Sequence, residues 1–126
     1  MEEAKWHGRK ILIVEDDFSS RLYLNKILEK SGLIILNAKD GKEAFDILMN
    51  DNDIDIALMD IQLPEMDGYT CTIMLREAGI KTIIIAQTAY GLTGDKERLM
   101  NSGFNDYLIK PISQSQLFSK LSGYLS

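Results

Sequence analysis

The sequence is poor in the residues that disulfide and metal scaffolds need. It has one cysteine, Cys71, in 126 residues, so no intramolecular disulfide can form and a reducing compartment is expected. The lone histidine, His7, has no second histidine or cysteine at zinc-ligand spacing, which argues against a structural zinc site. Basic residues are also in deficit. Fourteen lysines and arginines face nineteen acids, for a net charge of -5, and such a field repels phosphate backbones, so direct nucleic-acid binding is not expected. Long apolar runs are missing too. Ile11 to Val14 and Ile83 to Ala86 fall far short of the roughly 20 residues that span a bilayer, and Met1 to Lys10 is charged and has no signal-peptide core. A cytoplasmic location follows as the expectation. What is present is ordinary globular material, 45% hydrophobic and 26% charged, enough for one compact core and unlike a disordered chain.

Apolar runs alternate with helix-period segments five times. The strand-like runs are Lys10 to Val14, Leu33 to Leu36, Ile54 to Met59, Thr82 to Gln87 and Asn105 to Ile109, continuous enough to suit strands covered on both faces. Between them, Leu24, Ile27 and Leu28 recur at helical spacing before Ser31 and Gly32, and Ala44, Ile47 and Leu48 follow Gly41. The third helix is expected to start after Pro64 and end near Gly79, and the fourth to stop at Gly103 in a left-handed cap. Ser113 and Gln116 form a capping box for the last helix, whose Leu117, Leu121 and Leu125 share one face. The pattern is (βα)5, an α/β fold with a parallel sheet, right-handed crossovers and helices on both faces. Residues 1–9 read as a tail or linker and 10–126 as the domain. Trp6 is a large apolar residue to leave in water, so it packs either on the domain or on a neighbour.

The polar residues are informative by position. Glu15 and Asp16 follow the first strand, Asp60 the third, Thr88 the fourth and Lys110 the fifth, whereas the second strand contributes nothing comparable. In a doubly wound, flavodoxin-like sheet of order 2-1-3-4-5, ligands bind beyond the carboxyl ends of the strands, and the empty second strand lies at the edge. Glu15, Asp16, Asp60, Thr88 and Lys110 then converge. Three carboxylates against one ammonium leave a surplus of about -2, which a partly desolvated crevice does not tolerate without compensation. Mg²⁺ uses few carboxylates, keeps waters and bridges phosphate oxygens, so Glu15, Asp16 and Asp60 form a credible shell for it. Lys110 and the Thr88 hydroxyl are then available to a phosphoryl group. Asp60, ending the central apolar run, is the candidate nucleophile for an aspartyl phosphate. The loop after it carries Pro64 and Gly68, a rigid and a permissive residue.

These segments resemble the receiver domain of two-component response regulators from about Lys10 to Leu125. The resemblance is carried by Ile11-Leu12-Ile13-Val14-Glu15-Asp16-Asp17, by Met59-Asp60 with Leu63-Pro64 and Met66-Asp67-Gly68, by Thr88-Ala89, and by Tyr107-Leu108-Ile109-Lys110-Pro111. It implies that Asp60 accepts a phosphoryl group from a sensor histidine kinase, and that the domain assists its own phosphorylation and dephosphorylation. Glu15 and Asp16 would hold Mg²⁺, with the backbone carbonyl of Gln62 as a further ligand. Asp17 also invites a place in the acidic pair, but its separation from Arg21 favours the Glu15-Asp16 register. Thr88 and Lys110 would serve the phosphate, and the Lys110-Pro111 bond is often cis in the family. Tyr107 would be the switch aromatic that follows Thr88 and remodels the face of the fourth helix, fifth strand and fifth helix. Gln62 stands where Asn, Arg or Met is more frequent, and Gly91 and Gly94 imply a mobile start to the fourth helix. The wording around Asp60 and Ala86-Gln87-Thr88-Ala89-Tyr90, with Trp6 shortly before Lys10, resembles receivers attached to hybrid sensor kinases more than those of transcription factors. The resemblance implies that the phosphoryl group passes onward to a histidine phosphotransfer domain, or that the receiver regulates its own chain. The implied partners are therefore that domain or a sensor kinase, with a homodimer forming on phosphorylation. The chain is either a stand-alone receiver or a portion of a larger protein.

Three other functions compete. A Mg²⁺-dependent phosphatase of the haloacid-dehalogenase type shares the Asp nucleophile but needs a second Asp two positions on, where Gln62 stands. A flavodoxin-like FMN carrier needs a phosphate-cradling loop after the first strand, where Glu15-Asp16-Asp17 would repel phosphate. A non-phosphorylated pseudo-receiver would not need the intact acceptor set. Taken singly, Asp60 reads as a turn cap, Thr88 as a strand residue, Lys110 as a surface lysine, Tyr107 as a packed aromatic and Cys71 as a small buried side chain. Met49, Met59, Met66 and Met100 read as core or loop filler. It is the combination of acceptor-site residues that departs from chance.

Overall fold

A computed structural model describes residues 5–89 and 95–125. Strands and helices alternate through β1 (Lys10–Val14), α1 (Phe18–Leu28), β2 (Ile34–Ala38), α2 (Gly41–Asn50), β3 (Ile56–Asp60), α3 (Gly68–Glu77), β4 (Ile83–Thr88), α4 (Asp95–Ser102), β5 (Asp106–Ile109) and α5 (Gln114–Leu125). The five strands are parallel and ordered β2-β1-β3-β4-β5, as the alternation of runs predicts.

Period-2 alternation splits the core in two. Leu12, Val14, Ala57, Met59, Ile84 and Ala86 point to α2, α3 and α4, where they meet Ala44, Leu48, Cys71, Leu75 and Leu99. Ile11, Ile13, Ile56, Leu58, Ile85 and Leu108 point the other way and meet Leu24 and Leu28 of α1 and Leu117, Leu121 and Leu125 of α5. Each fully buried Leu or Ile contributes roughly 1.5–3 kcal/mol. β2 departs from the expected cover. It lies at the sheet edge, and Ile34 remains 48% exposed. Met49 and Met100 also prove to be surface residues, whereas Met59 is core.

Three helices begin in the same way. The side chains of Asp17, Asp40 and Asp67 accept hydrogen bonds from the backbone N–H of Ser20, Glu43 and Thr70, satisfying a donor that the helix cannot. For α3 this fixes the start that the sequence placed only somewhere after Pro64. Residues 61–67 form an irregular loop, and Asp67, not Pro64, opens the helix. Gly103 takes φ 105° directly after α4, the left-handed stop anticipated there. At α5, Gln116 N–H donates to Ser113 Oγ and Ser113 N–H to Gln116 Oε1, both at 3.1 Å, completing the capping box.

Trp6 packs on the domain. Its ring is 3% exposed and lies 5.3 Å from the Phe118 ring, and its backbone N–H donates to Ser31 O at 2.8 Å. Arg9 extends the strap through Asp55 (3.0 Å) and the Leu125 carbonyl (3.0 Å). Gly91 and Gly94, and with them the expected mobile start of the fourth helix, lie outside the described residues.

Candidate functional site

Strand register builds the site. Val14 is the partner of Met59, so Glu15, the next residue, comes beside Asp60, and Asp60 is itself the partner of Gln87. Alternation turns Glu15, Asp60 and Gln87 to the α1 and α5 face and Thr88 to the other. Asp60 and Thr88 are the last residues of their strands, whereas Glu15 and Lys110 follow theirs directly.

Asp60 is 3% exposed and fully engaged. Its Oδ2 accepts from Lys110 Nζ at 2.7 Å, and its Oδ1 accepts from the Gln62 backbone N–H at 2.9 Å. Thus the turn-cap bond expected of an isolated Asp is present, but the ammonium contact is added to it. Glu15 is 1% exposed. Its Oε2 accepts from the Asp17 N–H at 3.2 Å, while its Oε1 makes no hydrogen bond and lies 3.6 Å from Lys110 Nζ, an ion-pair separation. Arg21 Nη1 donates to the Glu15 carbonyl at 2.8 Å and fixes the chain at this point.

The electrostatics follow from this crowding. Burial, and then the Asp60 charge beside it, push the Glu15 carboxyl from 4.5 up to about 7, against the opposing pull of the Asp17 N–H and Lys110. At Lys110, burial disfavours the ammonium, but the hydrogen bond and charge of Asp60, together with Glu15, overcome it and hold the group above its ordinary value. One ammonium serves two buried carboxylates. Such a site favours an additional cation.

A carboxylate oxygen each from Glu15, Asp16 and Asp60 lies within 4.8 Å of the others. Two oxygens on one Mg²⁺ sit at most about 4.2 Å apart, since each bond is about 2.1 Å. The spread therefore fits an ion held partly through water, and exposed Asp16 leaves a solvent side for it. Asp17, the competing candidate, is occupied as the α1 cap.

Thr88 is fully buried at the end of β4, and its carbonyl accepts from the Lys110 backbone N–H at 2.7 Å. Tyr107 is half-buried and is the partner of Ala86, two residues before Thr88 and on the same face. Lys120 Nζ stands 5.9 Å from the Tyr107 ring centroid. The Lys110-Pro111 peptide is cis. Gly68 meets a packing requirement that the loop's permissiveness alone does not express: a Cβ there would lie 2.5 Å from the Asp60 carbonyl oxygen. Gln87 was not singled out by its sequence position. It is 1% exposed in the row of Glu15 and Asp60, and the available signal was a lone amide closing an apolar run.

A family model described as the response regulator receiver domain matches residues 11–122. Among curated proteins, hybrid signal transduction histidine kinase I of Dictyostelium discoideum is 36% identical over 122 residues, covering 90% of this chain and 7% of that protein. The chain thus spans a small part of that relative. Among solved structures, the receiver domain of sensor histidine kinase PA1611 from Pseudomonas aeruginosa is 35% identical with a TM-score of 0.84, covering 94% of this chain and 98% of that one, and is described with a magnesium ion coordinated in its active-site cleft. The receiver domain of the Saccharomyces cerevisiae response regulator Ssk1, solved with the histidine phosphotransfer protein Ypd1, is 30% identical with a TM-score of 0.88, covering 95% and 90%.

Proposed function

The chain belongs to the response regulator receiver family, and from that premise we propose that Asp60 is its phosphoacceptor, with Glu15, Asp16 and the Gln62 carbonyl as the Mg²⁺ site. The observation that carries this reading is the contact of Lys110 with Asp60 at 2.7 Å beside a convergent carboxylate cluster. An Asp60 oxygen attacks the phosphorus of a phosphohistidine; the O–P bond forms, the P–N bond breaks, and its electron pair leaves with the imidazole. Lys110 steadies the carboxylate and then pairs with the phosphoryl oxygens. Thr88 donates its hydroxyl to a phosphoryl oxygen, and Tyr107, on the same face, turns with it to alter the α4-β5-α5 surface. When bound, Mg²⁺ offsets the charge shared by the acceptor and the incoming group.

The donor is a sensor histidine kinase or a histidine phosphotransfer domain. The Ssk1–Ypd1 pair supports the latter, and the kinase-borne relatives support a hybrid setting. The working unit is residues 10–126, with phosphorylation promoting a homodimer through the switched face. This segment binds no nucleic acid directly and enters no membrane, and its compartment is the cytoplasm. No helix among the described residues is long and apolar enough to cross a membrane. Gln62, standing where that chemistry needs a second Asp, weighs against the phosphatase reading.

Incubation with acetyl phosphate and Mg²⁺, followed by intact-mass measurement, tests the proposal. One added phosphoryl group is expected, absent in Asp60→Asn and in EDTA. Labelling that survives Asp60→Asn would refute it, and sustained turnover of a generic phosphomonoester would favour the phosphatase.

A further inference from the structure

The chain ahead of β1 is fastened at two kinds of anchor. One is the end of the sheet away from Asp60: the Trp6 N–H donates to the Ser31 carbonyl at 2.8 Å, the Ile34 N–H donates to the Arg9 carbonyl at 2.8 Å, and the Arg9 guanidinium pairs with Asp55 at 3.0 Å. The other is α5. The Trp6 ring packs on Phe118, Lys5 Nζ donates to Ser122 Oγ at 3.2 Å, and Arg9 Nη1 donates to the Leu125 carbonyl at 3.0 Å. Residues 5–9 therefore bridge α5 to parts of the fold that the helix does not carry with it.

On its other side α5 is held by β5. Lys120 Nζ pairs with Asp106 Oδ1 at 3.1 Å, the Tyr124 hydroxyl donates to Asp106 Oδ2 at 3.0 Å, and the Lys120 ammonium stands 5.9 Å from the Tyr107 ring centroid. In the reading proposed above, Tyr107 turns with Thr88 on phosphorylation, which takes its ring away from Lys120 and lets α5 shift against the sheet. The strap cannot follow that shift, because its other end is bonded to Ser31, Ile34 and Asp55. The contact of Trp6 with Phe118, or of Arg9 with Leu125, then has to open. Trp6 is suited to opening: its Nε1 is buried without a partner, and hydrating that donor offsets part of the lost packing.

We infer that residues 5–9 are a restraining strap on the switch, a set of contacts that favours the unphosphorylated position of α5 and loosens when Asp60 carries its phosphoryl group. The inference rests on the phosphoacceptor reading and adds a regulator to that site. Linkage makes the effect reciprocal: the factor by which a phosphoryl mimic on Asp60 weakens the strap is the factor by which loss of the strap strengthens binding of the mimic.

Trp6 is the only tryptophan, and it precedes β1, roughly 15 Å along the strand direction from the acidic cluster, so its fluorescence reads the strap without touching the acceptor site. The test titrates the full chain with beryllofluoride in Mg²⁺, counting the bound mimic by fluorine NMR and following Trp6 by its emission and by acrylamide quenching. Red-shifted emission and a higher quenching constant are expected as the mimic saturates, and neither in Asp60→Asn. Trp6→Ala and Arg9→Ala should each bind the mimic roughly fivefold tighter, the low end of ordinary coupling between sites. Arg9→Ala carries this arm if the loss of core in Trp6→Ala prevents folding, because the Arg9 side chain is 42% exposed. Bound mimic with Trp6 emission and quenching unchanged or shifted to the blue would overturn the strap, as would unchanged affinity in the variants that fold. Absence of bound mimic in the wild type would instead refute the acceptor reading and take the strap's role with it, so the fluorine signal tells the two failures apart.

Discussion

Removing the charge of Glu15 should stabilise the metal-free protein above neutral pH. The folded carboxyl is raised from 4.5 to about 7, first by burial and then by Asp60. The folded state therefore binds more protons than the unfolded state between those values, and stability falls as pH rises through that window, becoming flat above it. At about 1.4 kcal/mol per pH unit, the full displacement amounts to about 3 kcal/mol. Glu15 is 1% exposed, so solvent does little to screen the effect. In a domain of this size about 3 kcal/mol corresponds to roughly 10 °C in Tm. Glu15→Gln should abolish this slope, because its amide stays neutral throughout.

Thermal melts in EDTA at pH 5.5 and 8.5 measure this directly. The stability of Glu15→Gln relative to wild type should rise between the two pH values by about 2 kcal/mol, because pH 5.5 already lies inside the window from 4.5 to about 7, a comparison that cancels other titrating groups. Mg²⁺ requires the ionised carboxylate, so its binding releases a proton below pH 7 and weakens there by at most about tenfold per pH unit. Millimolar Mg²⁺ should thus raise Tm at pH 8.5 more than at pH 5.5, and should raise it little in Glu15→Gln. A difference between the two proteins that does not change with pH would refute the account of Glu15, whatever the metal does.

Gly68→Ala should cost about 2–3 kcal/mol by overpacking, because its Cβ meets the Asp60 carbonyl oxygen at 2.5 Å and Ile61 Cα at 2.8 Å. It should also slow acetyl-phosphate labelling at least tenfold, whereas Gly79→Ala, strained at φ 85° but with open space around it, should cost about 1 kcal/mol and label normally. Urea melts and the labelling time course separate the two effects, and normal labelling of Gly68→Ala would show that the loop does not set the Asp60 geometry. Trp6→Ala should cost about 3–5 kcal/mol of buried aromatic packing. Trp6→Phe should cost much less, since Trp6 Nε1 has no hydrogen-bond partner to lose. Equal midpoints for Trp6→Ala and wild type would mean that the strap through Trp6 contributes nothing to the fold.

Element type and order were legible because apolar runs and helical spacing report the same alternation at every step. Register and exposure were harder to read. The lack of polar end residues put the second strand at the sheet edge, where it lies, but Leu33 to Leu36 looked as apolar as the central strands, and apolarity alone did not show that Ile34 would stay exposed. The start of α3 was located only as after Pro64, because proline is a strong signal of a turn and only a conditional one of a helix. Asp67 followed by Gly68 was the better marker, since a side-chain oxygen can close the first turn while proline only spares a donor. Gln87 was passed over because a single amide in a strand is unremarkable until register places it beside Asp60.

The limit of sequence reading is sharpest at Glu15, Asp16 and Asp17, three consecutive acids with three fates. Glu15 continues the alternation of β1, turns inward and becomes hard to ionise. Asp16 stays exposed and offers an oxygen to the acidic cluster. Asp17 turns to the helix, where the Ser20 backbone N–H holds its carboxyl below the ordinary value. Neighbouring carboxyls thus move in opposite directions on account of where each side chain points. Chain chemistry proposes an acidic pair at the mouth of the sheet. The separation from Arg21 already favours Glu15 and Asp16 as that pair, and the handover from strand to helix supplies the physical reason: moving the acids by one residue would turn Glu15 away from Asp60 and leave the helix uncapped.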